Sequence, residues 1–303
     1  MKTLSVVTPC FNESENVLDC IIELQAALQG IDYEHIFIDN FSSDDTLRKL
    51  LDLRSQYPHV RVLANSQNVG VFSSIQRALR EAKGNWVVPF FAADLQDPPK
   101  IIREMIRIQE SSSCDSVFAV RETRSENAII FFLRRIFYKI IRLSTEKSYV
   151  SGTSEFCLIQ SKVARQIVEI EDANPFLRLY LSQLRGKVEY VNFAMKERNK
   201  GKSSANIFTL TDDALNAFSL VLPSVFSRIL IASLLGITIG LLVCAYSIVD
   251  LLLLPSSLEK LFTPGLILLG FSIMMGINAV IGHYVYIIHS NVRKKLNAIT
   301  TEV

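Results

Sequence analysis

Three clusters of acidic, amide and hydroxyl side chains stand out in the front half of this 303-residue chain, at residues 9–15, 39–46 and 92–99. Each cluster follows a short run of apolar or β-branched residues. Carboxylate and amide oxygens are hard ligands that suit Mg²⁺ or Mn²⁺ beside a diphosphate. The same residue types are favoured helix N-caps, so a cluster taken alone, such as Ser43 with Asp44, is equally explained as a cap.

Strand-like and helix-like segments alternate around these clusters. The strand-like runs are residues 4–8, 35–38, 60–63, 86–91, 116–120 and 188–191, with apolar residues at helical spacing between them. This alternation predicts right-handed crossovers and a mostly parallel sheet. Ligands of such sheets bind at the carboxyl ends of the strands, so we expect the three clusters to share one rim and one site.

Two long apolar stretches lie in the last quarter of the chain. Residues 229–249 carry no charge, and His283 is the only group in residues 264–288 that titrates near neutral pH. A helix of about 20 apolar residues crosses a bilayer core of about 30 Å, so both stretches can span. Buried core helices are the alternative, but soluble helices rarely stay apolar on every face. We predict a membrane hairpin over residues 229–288, preceded by an amphipathic juxtamembrane helix over residues 206–228.

Basic residues flank this hairpin on both outer sides, whereas the connector contains only Asp250, Glu259 and Lys260 as charged residues. That distribution predicts that both chain ends are cytoplasmic. We therefore expect an α/β domain over residues 1–205 and a tail over residues 289–303 on the cytoplasmic side of the inner (plasma) membrane. Anionic lipid would attract the basic flanks.

Composition argues against several other classes of protein. The net charge of +2 does not favour a nucleic-acid partner. The five cysteines show no CxxC pair and no metal-ligand spacing, so we expect reduced thiols. The few residues before the first strand-like run are too short for a signal-peptide core.

The clusters resemble the family 2 glycosyltransferases of GT-A fold, and more narrowly the polyprenyl-phosphate sugar transferases of the GtrB and dolichyl-phosphate mannose synthase type. The family patterns are P-x-[YF]-N-E, D-D-G-S-x-D-x-T, N-x-G and D-x-D-L-Q-x-P-P. With the two apolar stretches, the resemblance covers nearly the whole chain. The matching residues are Pro9, Phe11, Asn12, Glu13, Asp39, Ser42, Asp44, Thr46, Asn68, Gly70, Asp94, Leu95, Gln96, Pro98 and Pro99.

The chain departs from the family patterns at several positions. Asn40 and Phe41 replace the second Asp and the Gly of D-D-G-S, and Ala92 replaces the first Asp of D-x-D. In the family's G-D-F-R-L segment, Glu155 stands for the Asp and Cys157 for the Arg. The loss of a carboxylate at position 92 predicts a weaker metal site, because each anionic ligand adds affinity for a hard cation.

The resemblance implies roles for the matching residues in binding a nucleotide sugar. Asp39 would accept the ring N–H of the base, and Pro9, Phe11 and Glu13 would line the base and ribose cleft. The further implied residues are Asn68 and Asp94 for the nucleotide, Asp94 and Gln96 for Mg²⁺ or Mn²⁺, and Asp94 and Glu155 as catalytic residues. A metal there would offset charge on the leaving diphosphate.

A basic, aromatic segment at residues 121–139 is the predicted acceptor site. Arg is the natural ligand for a phosphate, and the resemblance points to Arg121 with Arg134 or Arg135 as ligands of a polyprenyl phosphate. The alternative is an amphipathic helix with a solvated basic face. Further on, Arg198, Lys200 and Lys202 resemble the family's flexible R-x-x-G-x-S loop, with a solvated basic linker as the alternative.

These features predict a membrane-anchored inverting glycosyltransferase. It would move a hexose such as glucose from a UDP-sugar to undecaprenyl or another polyprenyl phosphate, for modification of surface polysaccharide. The resemblance also implies a homo-oligomer, commonly a tetramer. One alternative is a processive transferase, which would normally need more membrane spans. The other is a non-catalytic membrane scaffold of the same fold, motivated by Asn40, Ala92 and Cys157.

Overall fold

The computed structural model describes residues 3–121, 153–169, 186–196, 207–253, 258–292 and 300–302. In chain order the helices and strands are β1 (Leu4–Cys10), α1 (Val17–Ala27), β2 (Tyr33–Asp39), α2 (Thr46–Gln56), β3 (Val60–Asn65), α3 (Val71–Glu81), β4 (Trp86–Val88), α4 (Lys100–Ser112), β5 (Ser116–Arg121), β6 (Thr153–Gln160), α5 (Ser161–Val168), β7 (Val188–Phe193), α6 (Ile207–Leu253), α7 (Leu258–Val292) and β8 (Thr300–Glu302).

The strands form one mixed sheet in the order β7-β5-β6-β4-β1-β2-β3-β8. Four neighbouring pairs are parallel (β1–β2, β1–β4, β2–β3 and β5–β7), and the pairs that involve β6 or β8 are antiparallel. The α/β class and the mostly parallel sheet are thus confirmed. Parallel pairing brings the carboxyl ends of β1, β2, β3 and β4 to one rim, which is where the predicted clusters begin.

Two strands of the sheet were not predicted from the sequence. β6 contains the buried polar residues Ser154 and Glu155, so its letters do not show the apolar run of a buried strand. β8 has only three residues, and its pairing partner β3 is more than 200 positions away in the sequence. β4 is shorter than predicted because Pro89 has no N–H to continue the ladder.

Each face of the sheet is covered by helices, which gives two layers of core. Phe37 and Val88 point to the layer that contains Leu24 of α1 and Met105 of α4. The neighbouring residues Ile36, Ile38 and Val87 point to the layer that contains Ile75 of α3 and Ile167 of α5. Strands buried on both faces read as continuous apolar runs, which is why most of them were predictable.

The C-terminal strand β8 closes the sheet at β3, and Arg61 ties the two strands together. The Arg61 Nε and Nη2 groups donate to the Glu302 carboxylate at 2.8 and 3.1 Å. Arg61 Nη1 donates to Glu34 Oε2 at 2.6 Å and to the Glu81 carbonyl at 2.8 Å. The edge of the sheet is therefore covered by the chain's own last residues.

The molecule divides into two compact units, residues 1–216 with 294–303, and residues 217–293. In the second unit α6 and α7 pack antiparallel through small residues. A Cβ on Gly240 would lie 3.1 Å from the Leu269 backbone nitrogen, and one on Gly276 would lie 2.9 Å from Ser233 Oγ. Such small residues are typical of membrane helix pairs.

These two helices contain candidate membrane spans at Val225–Val249 and Thr263–Ile288. Their outward apolar side chains are exposed, as at Leu242 (69%) and Ile267 (66%), unlike those of a buried core helix. The predicted juxtamembrane helix and the first span form one continuous 47-residue helix, α6. The predicted amphipathic character of the first half of α6 depends on side chains that lie outside the described residues, so it stays a prediction.

Candidate functional site

The loops that follow β1 and β2 are joined by hydrogen bonds into one rim. The Asn12 N–H donates to Ser42 Oγ at 3.0 Å, and the Ser43 N–H donates to Asn12 Oδ1 at 2.8 Å. The Glu13 N–H donates to Thr46 Oγ1 at 2.8 Å. The first two predicted clusters therefore form one structure at the end of two adjacent strands, as expected.

Asp44 joins these two loops. Its carboxylate accepts from the Ser14 N–H at 3.2 Å and from the Thr46 N–H at 2.9 Å. Partial burial works to raise the pKa of Asp44, but the hydrogen bonds from Thr46 and Ser14 outweigh it and lower that pKa. Asp44 thus supports the start of α2 and the neighbouring loop, which agrees with the structural alternative for this residue.

Pro9, Phe11 and Glu13 line the β1 side of the rim. Pro9 lies in β1 opposite Ile38, and the Phe11 ring is 44% exposed. The Glu13 carboxylate accepts from Asn16 Nδ2 at 2.6 Å, which fixes its direction. The role of these three residues in lining a base and ribose cleft stays a prediction.

Asp39 carries the most informative polar atom of the rim. The side chain is buried, and Oδ2 accepts from the Ser42 N–H at 3.1 Å. Oδ1 is also buried but has no hydrogen-bond partner among the described residues. A buried acceptor without a donor costs free energy, so Oδ1 is a position at which a ligand N–H would stabilise the protein.

Asn40 connects the end of β2 to the loop that carries Asn68. Its Oδ1 accepts from the Val69 N–H at 2.9 Å and from Asn65 Nδ2 at 3.2 Å, and its Nδ2 donates to Asn68 Oδ1 at 2.9 Å. Asn68 Oδ1 also accepts from the Gly70 N–H at 3.0 Å. The sequence predicted a nucleotide-binding role for Asn68 and only a departure from the family at Asn40.

The third cluster turns sharply after β4 around Asp94. The Asp94 side chain is buried, and its Oδ1 accepts from the Gln96 N–H at 3.2 Å. Leu95 has φ 59°, a left-handed value that non-glycine residues rarely adopt. The Gln96 carbonyl accepts from the Lys196 N–H at 3.0 Å, so the segment after β7 supports this turn.

Asp94 and Gln96 fit a divalent ion only as part of a larger ligand set. The described residues contain no group of three or more His, Cys, Asp or Glu side chains arranged to hold a metal. With Ala92 in place of a carboxylate, the remaining oxygens would have to come from a bound diphosphate and water. The donors present are hard oxygens, as Mg²⁺ and Mn²⁺ require.

Asp97, which the sequence analysis did not select, lies at the centre of a charged cluster. It is fully buried, and its Oδ1 accepts from Arg121 Nη2 at 3.3 Å. Burial raises the pKa of Asp97, Arg121 opposes that change, and the charges of Asp94 and Glu155 raise the pKa further. The structure thus brings together Asp94, Arg121 and Glu155, three predicted site residues from three separate segments.

This cluster has unfilled hydrogen-bonding capacity. Asp97 Oδ2 and Arg121 Nε are both buried without a partner among the described residues. The Arg121 side chain is 35% exposed, so part of its guanidinium remains accessible. The sequence indicates Asp97 only through its position in the third cluster, where the family pattern D-x-D-L-Q-x-P-P has an unspecified residue.

Cys157 cannot contribute the contact of the Arg it replaces. The thiol is fully buried in the core layer with Phe118 and Ile159, and burial raises its pKa well above the usual value. The other predicted residues, namely Arg134, Arg135, Arg198, Lys200 and Lys202, lie outside the described residues.

Residues 5–168 match the sequence model of Glycosyl transferase family 2. A glycosyltransferase of Synechocystis sp. is 30% identical over 250 residues, which cover 80% of this chain and 76% of that protein. The bactoprenol glucosyl transferase of Shigella phage SfV is 27% identical over 286 residues, 89% of this chain and 91% of that protein. A dolichol-phosphate mannosyltransferase of Pyrococcus furiosus is 36% identical over 110 residues, 36% of this chain and 31% of that protein.

Proposed function

Because the chain belongs to glycosyl transferase family 2, we propose that it transfers a hexose from a UDP-sugar to a polyprenyl phosphate at the cytoplasmic face of a membrane. The observation that carries this proposal is that two features occur in the same chain. One is the polar rim with the family 2 residues, and the other is the pair of candidate membrane spans. Similarity to a bactoprenol glucosyl transferase over 89% of the chain supports the lipid acceptor.

The donor half of the site consists of the rim after β1, β2 and β3. Asp39 Oδ1 accepts the ring N–H of the base, and Phe11 covers the base or ribose from the solvent side. Asp94 and Gln96 face the diphosphate, and they would hold a divalent cation together with its oxygens. When bound, that cation neutralises negative charge on the leaving diphosphate.

The transfer itself is a single displacement. An oxygen of the lipid phosphate forms a bond to the anomeric carbon, while the bond from that carbon to the β-phosphate oxygen breaks. The bonding electrons leave with UDP, and the anomeric centre inverts. The phosphate is already ionised at neutral pH, so this step needs little help from a general base.

Arg121 holds the acceptor phosphate near the carboxylates in this mechanism. Asp97 pairs with one guanidinium nitrogen, which leaves the other donors of the planar fork for phosphate oxygens. Glu155 and Asp94 surround the reacting region with negative charge, so an anionic acceptor cannot stay there without Arg121 and a cation. The product would be a lipid-linked sugar for surface polysaccharide, made by a homo-oligomer, commonly a tetramer in this family.

The direct test is sugar transfer by the purified full chain. Radiolabelled UDP-glucose and other nucleotide hexoses are incubated with undecaprenyl phosphate and Mg²⁺ or Mn²⁺, and lipid-extractable label is counted. We expect label from a UDP-hexose, inhibition by EDTA, and loss of most activity in Asp94→Asn. Lys162→Ala, an exposed change on α5, is the control.

The same assay separates an enzyme from a non-catalytic scaffold. A scaffold would give neither transfer nor hydrolysis with any nucleotide hexose, and that result would overturn the proposal. If transfer is undiminished in EDTA, the protein is an enzyme but its mechanism does not use a divalent metal.

A further inference from the structure

Two opposite seams of residues run along α7 within its candidate membrane span. The inner seam packs on α6 and contains the buried residues Ser272 and Ala279. The outer seam repeats at alternating intervals of three and four residues, as the seam of a coiled coil does. The outer seam consists of Ile267, Phe271, Met274, Asn278, Ile281 and Val285, all of them exposed. It is therefore the face of α7 that α6 leaves uncovered.

Asn278 places a polar amide within this outer seam. Its Nδ2 donates to the Met274 carbonyl, one turn earlier in the helix, at 2.9 Å. That bond uses one amide hydrogen, and the second hydrogen and Oδ1 form no hydrogen bond to a residue that the structure describes. Asn278 lies ten residues before Ile288, where the candidate span ends. Ten residues are about 15 Å of helix, so the amide is close to the middle of a hydrocarbon core about 30 Å thick.

An amide at this depth needs a polar partner, because unmatched polar groups in hydrocarbon cost free energy. Thr238 of α6 shows how an exposed polar side chain in a span avoids that cost. Its hydroxyl donates to the carbonyls of Leu234 and Leu235 at 2.6 and 3.0 Å. A hydroxyl has a single hydrogen, so the only donor of Thr238 is satisfied, whereas Asn278 keeps both a donor and an acceptor. The outer seam of α7 therefore favours a covering helix over lipid.

A second copy of this chain is the partner that fits the seam. All copies enter the membrane in the same orientation, so the Asn278 side chains of two copies lie at the same depth. An amide both donates and accepts, so two such side chains can satisfy each other. A single Asn at a core position fixes the register of identical helices in coiled coils in the same way. The apolar residues before and after Asn278 would then pack between the two helices.

We propose that the outer seam of α7 is an interface between copies of this chain within the membrane, with Asn278 hydrogen-bonded to the partner's Asn278. The family resemblance implies a homo-oligomer but does not locate the surface that forms it. This inference rests on the two candidate spans and not on the catalytic proposal. A chain that transfers no sugar would therefore leave the inference standing.

Disulfide cross-linking of the full chain in native membranes tests the contact. Met274→Cys places a thiol on the outer seam one turn from Asn278 and leaves the amide in place. Ile273→Cys is the matched control, because Ile273 is also exposed and lies at the same depth on another side of the helix. The five native cysteines are buried, so the parent chain gives the background. We expect oxidation to give a product of twice the chain mass with Met274→Cys and only background with Ile273→Cys.

Removing the amide should weaken the association. Energy transfer between labelled copies of the full chain in liposomes gives the dissociation constant. Asn278→Leu should raise this constant by about 3- to 30-fold, the range expected for a hydrogen bond between membrane helices. Asn278→Gln retains the amide and should recover most of the loss. Thr238→Val removes an exposed hydroxyl that is bonded to its own helix, so it should change the constant by less than about twofold.

Three results would overturn the inference. The first is equal cross-linking of Met274→Cys and Ile273→Cys, or no product with either, which would mean that lipid covers the seam. The second is a dissociation constant that Asn278→Leu does not change. The third is a Met274→Cys product of a mass other than twice that of the chain, which would identify a different membrane protein as the partner. The cross-linking result does not require a change at Asn278, so it decides the matter even if Asn278→Leu does not fold.

Discussion

At the residue scale, Arg121 has the clearest divided role, because it ends β5, pairs with buried Asp97 and keeps donors for a ligand. Replacing an Arg that binds the lipid phosphate should lower kcat/KM for the acceptor and leave the affinity for the nucleotide unchanged. A charge-assisted phosphate contact contributes about 1.5–3 kcal/mol, so Arg121→Ala should lower acceptor kcat/KM by about 10- to 100-fold. Arg121→Lys should recover only part of this, since an ammonium lacks the planar fork.

The control for Arg121 is Arg165→Ala, an exposed change on α5. Steady-state kinetics with varied polyprenyl phosphate give the acceptor parameters, and UDP titration gives the donor affinity. If Arg121→Ala weakens donor and acceptor binding equally, this arginine maintains the structure of the site and does not bind the acceptor phosphate specifically. If both Arg121 variants turn over the acceptor at the parent's rate, Arg121 does not bind the phosphate.

Phe41 shows a second property of single residues at the rim, backbone strain. Phe41 has φ 63°, and Asn12 and Leu95, in the loops after β1 and β4, have φ 57° and 59°. A left-handed conformation costs a residue with a Cβ about 1–2 kcal/mol relative to glycine. The Phe41 side chain is 58% exposed, so its removal loses little burial.

We therefore expect an inverted order of stability at position 41. At an ordinary position Ala is more favourable than Gly, but Phe41→Gly should be more stable than Phe41→Ala by about 1 kcal/mol. Thermal unfolding of the detergent-solubilised chain measures the order. Leu51, on the exposed face of α2, is the matched position. There the Leu51→Ala variant should be more stable than Leu51→Gly. The ordinary order at both positions would show that Phe41 is not strained.

The candidate site was largely predictable at this scale, with two omissions. Asp39 and Asp94 stand out because polar residues after apolar runs are visible in the sequence, whereas Glu155 was selected only through the family's G-D-F-R-L segment. The structure buries all three. Asp97 was passed over, because its importance comes from Arg121, which is 24 positions away. The hydrogen bonds of Asn40 were also hidden, because its partners Asn65, Asn68 and Val69 lie 25 or more positions away in the sequence.

At the scale of elements, the β3–β8 edge is the part of the fold that the sequence did not indicate. Pairing of three residues with a distant strand leaves no periodic signal. β6 was missed because its first three residues are polar although they are buried. The other strands were found because a buried parallel strand is apolar throughout. Short or polar strands are recognised only through their partners.

The Arg61–Glu302 contact makes the closure of this edge dependent on pH. Hydrogen bonding from Arg61 lowers the pKa of Glu302 below its usual value of 4.5, against a small opposing effect of burial. A carboxylate with a lowered folded-state pKa stabilises the fold above its unfolded pKa, and that stability is lost as pH falls through the folded value. We expect the protection of the amides of residues 61–65 against hydrogen exchange, relative to the intrinsic rate at each pH, to fall below about pH 4.5.

Glu302→Gln is the matched variant for this edge. It should remove the acid dependence and cost no more than about 1 kcal/mol, because half of the Glu302 side chain is exposed. Arg61→Ala should cost more, about 1–3 kcal/mol, since it also leaves the partly buried Glu34 without its cation. Identical exchange profiles for the parent and Glu302→Gln across this pH range would show that the contact does not hold β8 in place.

At the scale of the whole molecule, the membership of β8 in the sheet constrains the membrane topology. Residues 4–10 and 300–302 belong to one sheet, and both candidate spans lie between them in the sequence. Both spans can cross the bilayer only if the chain leaves and returns on the same side. The basic flanks, counted from the sequence, favour the cytoplasm for that side.

The connector near Ser256 should therefore lie on the outer face, and cysteine labelling of intact cells tests this. Ser256→Cys should react with a membrane-impermeant maleimide without permeabilisation. Ser111→Cys, exposed at the end of α4, should react only after permeabilisation. The native cysteines are buried, so their background labelling should be low. Labelling of Ser111→Cys alone in intact cells would mean an inverted hairpin, and labelling of neither variant would mean that residues 229–288 do not span.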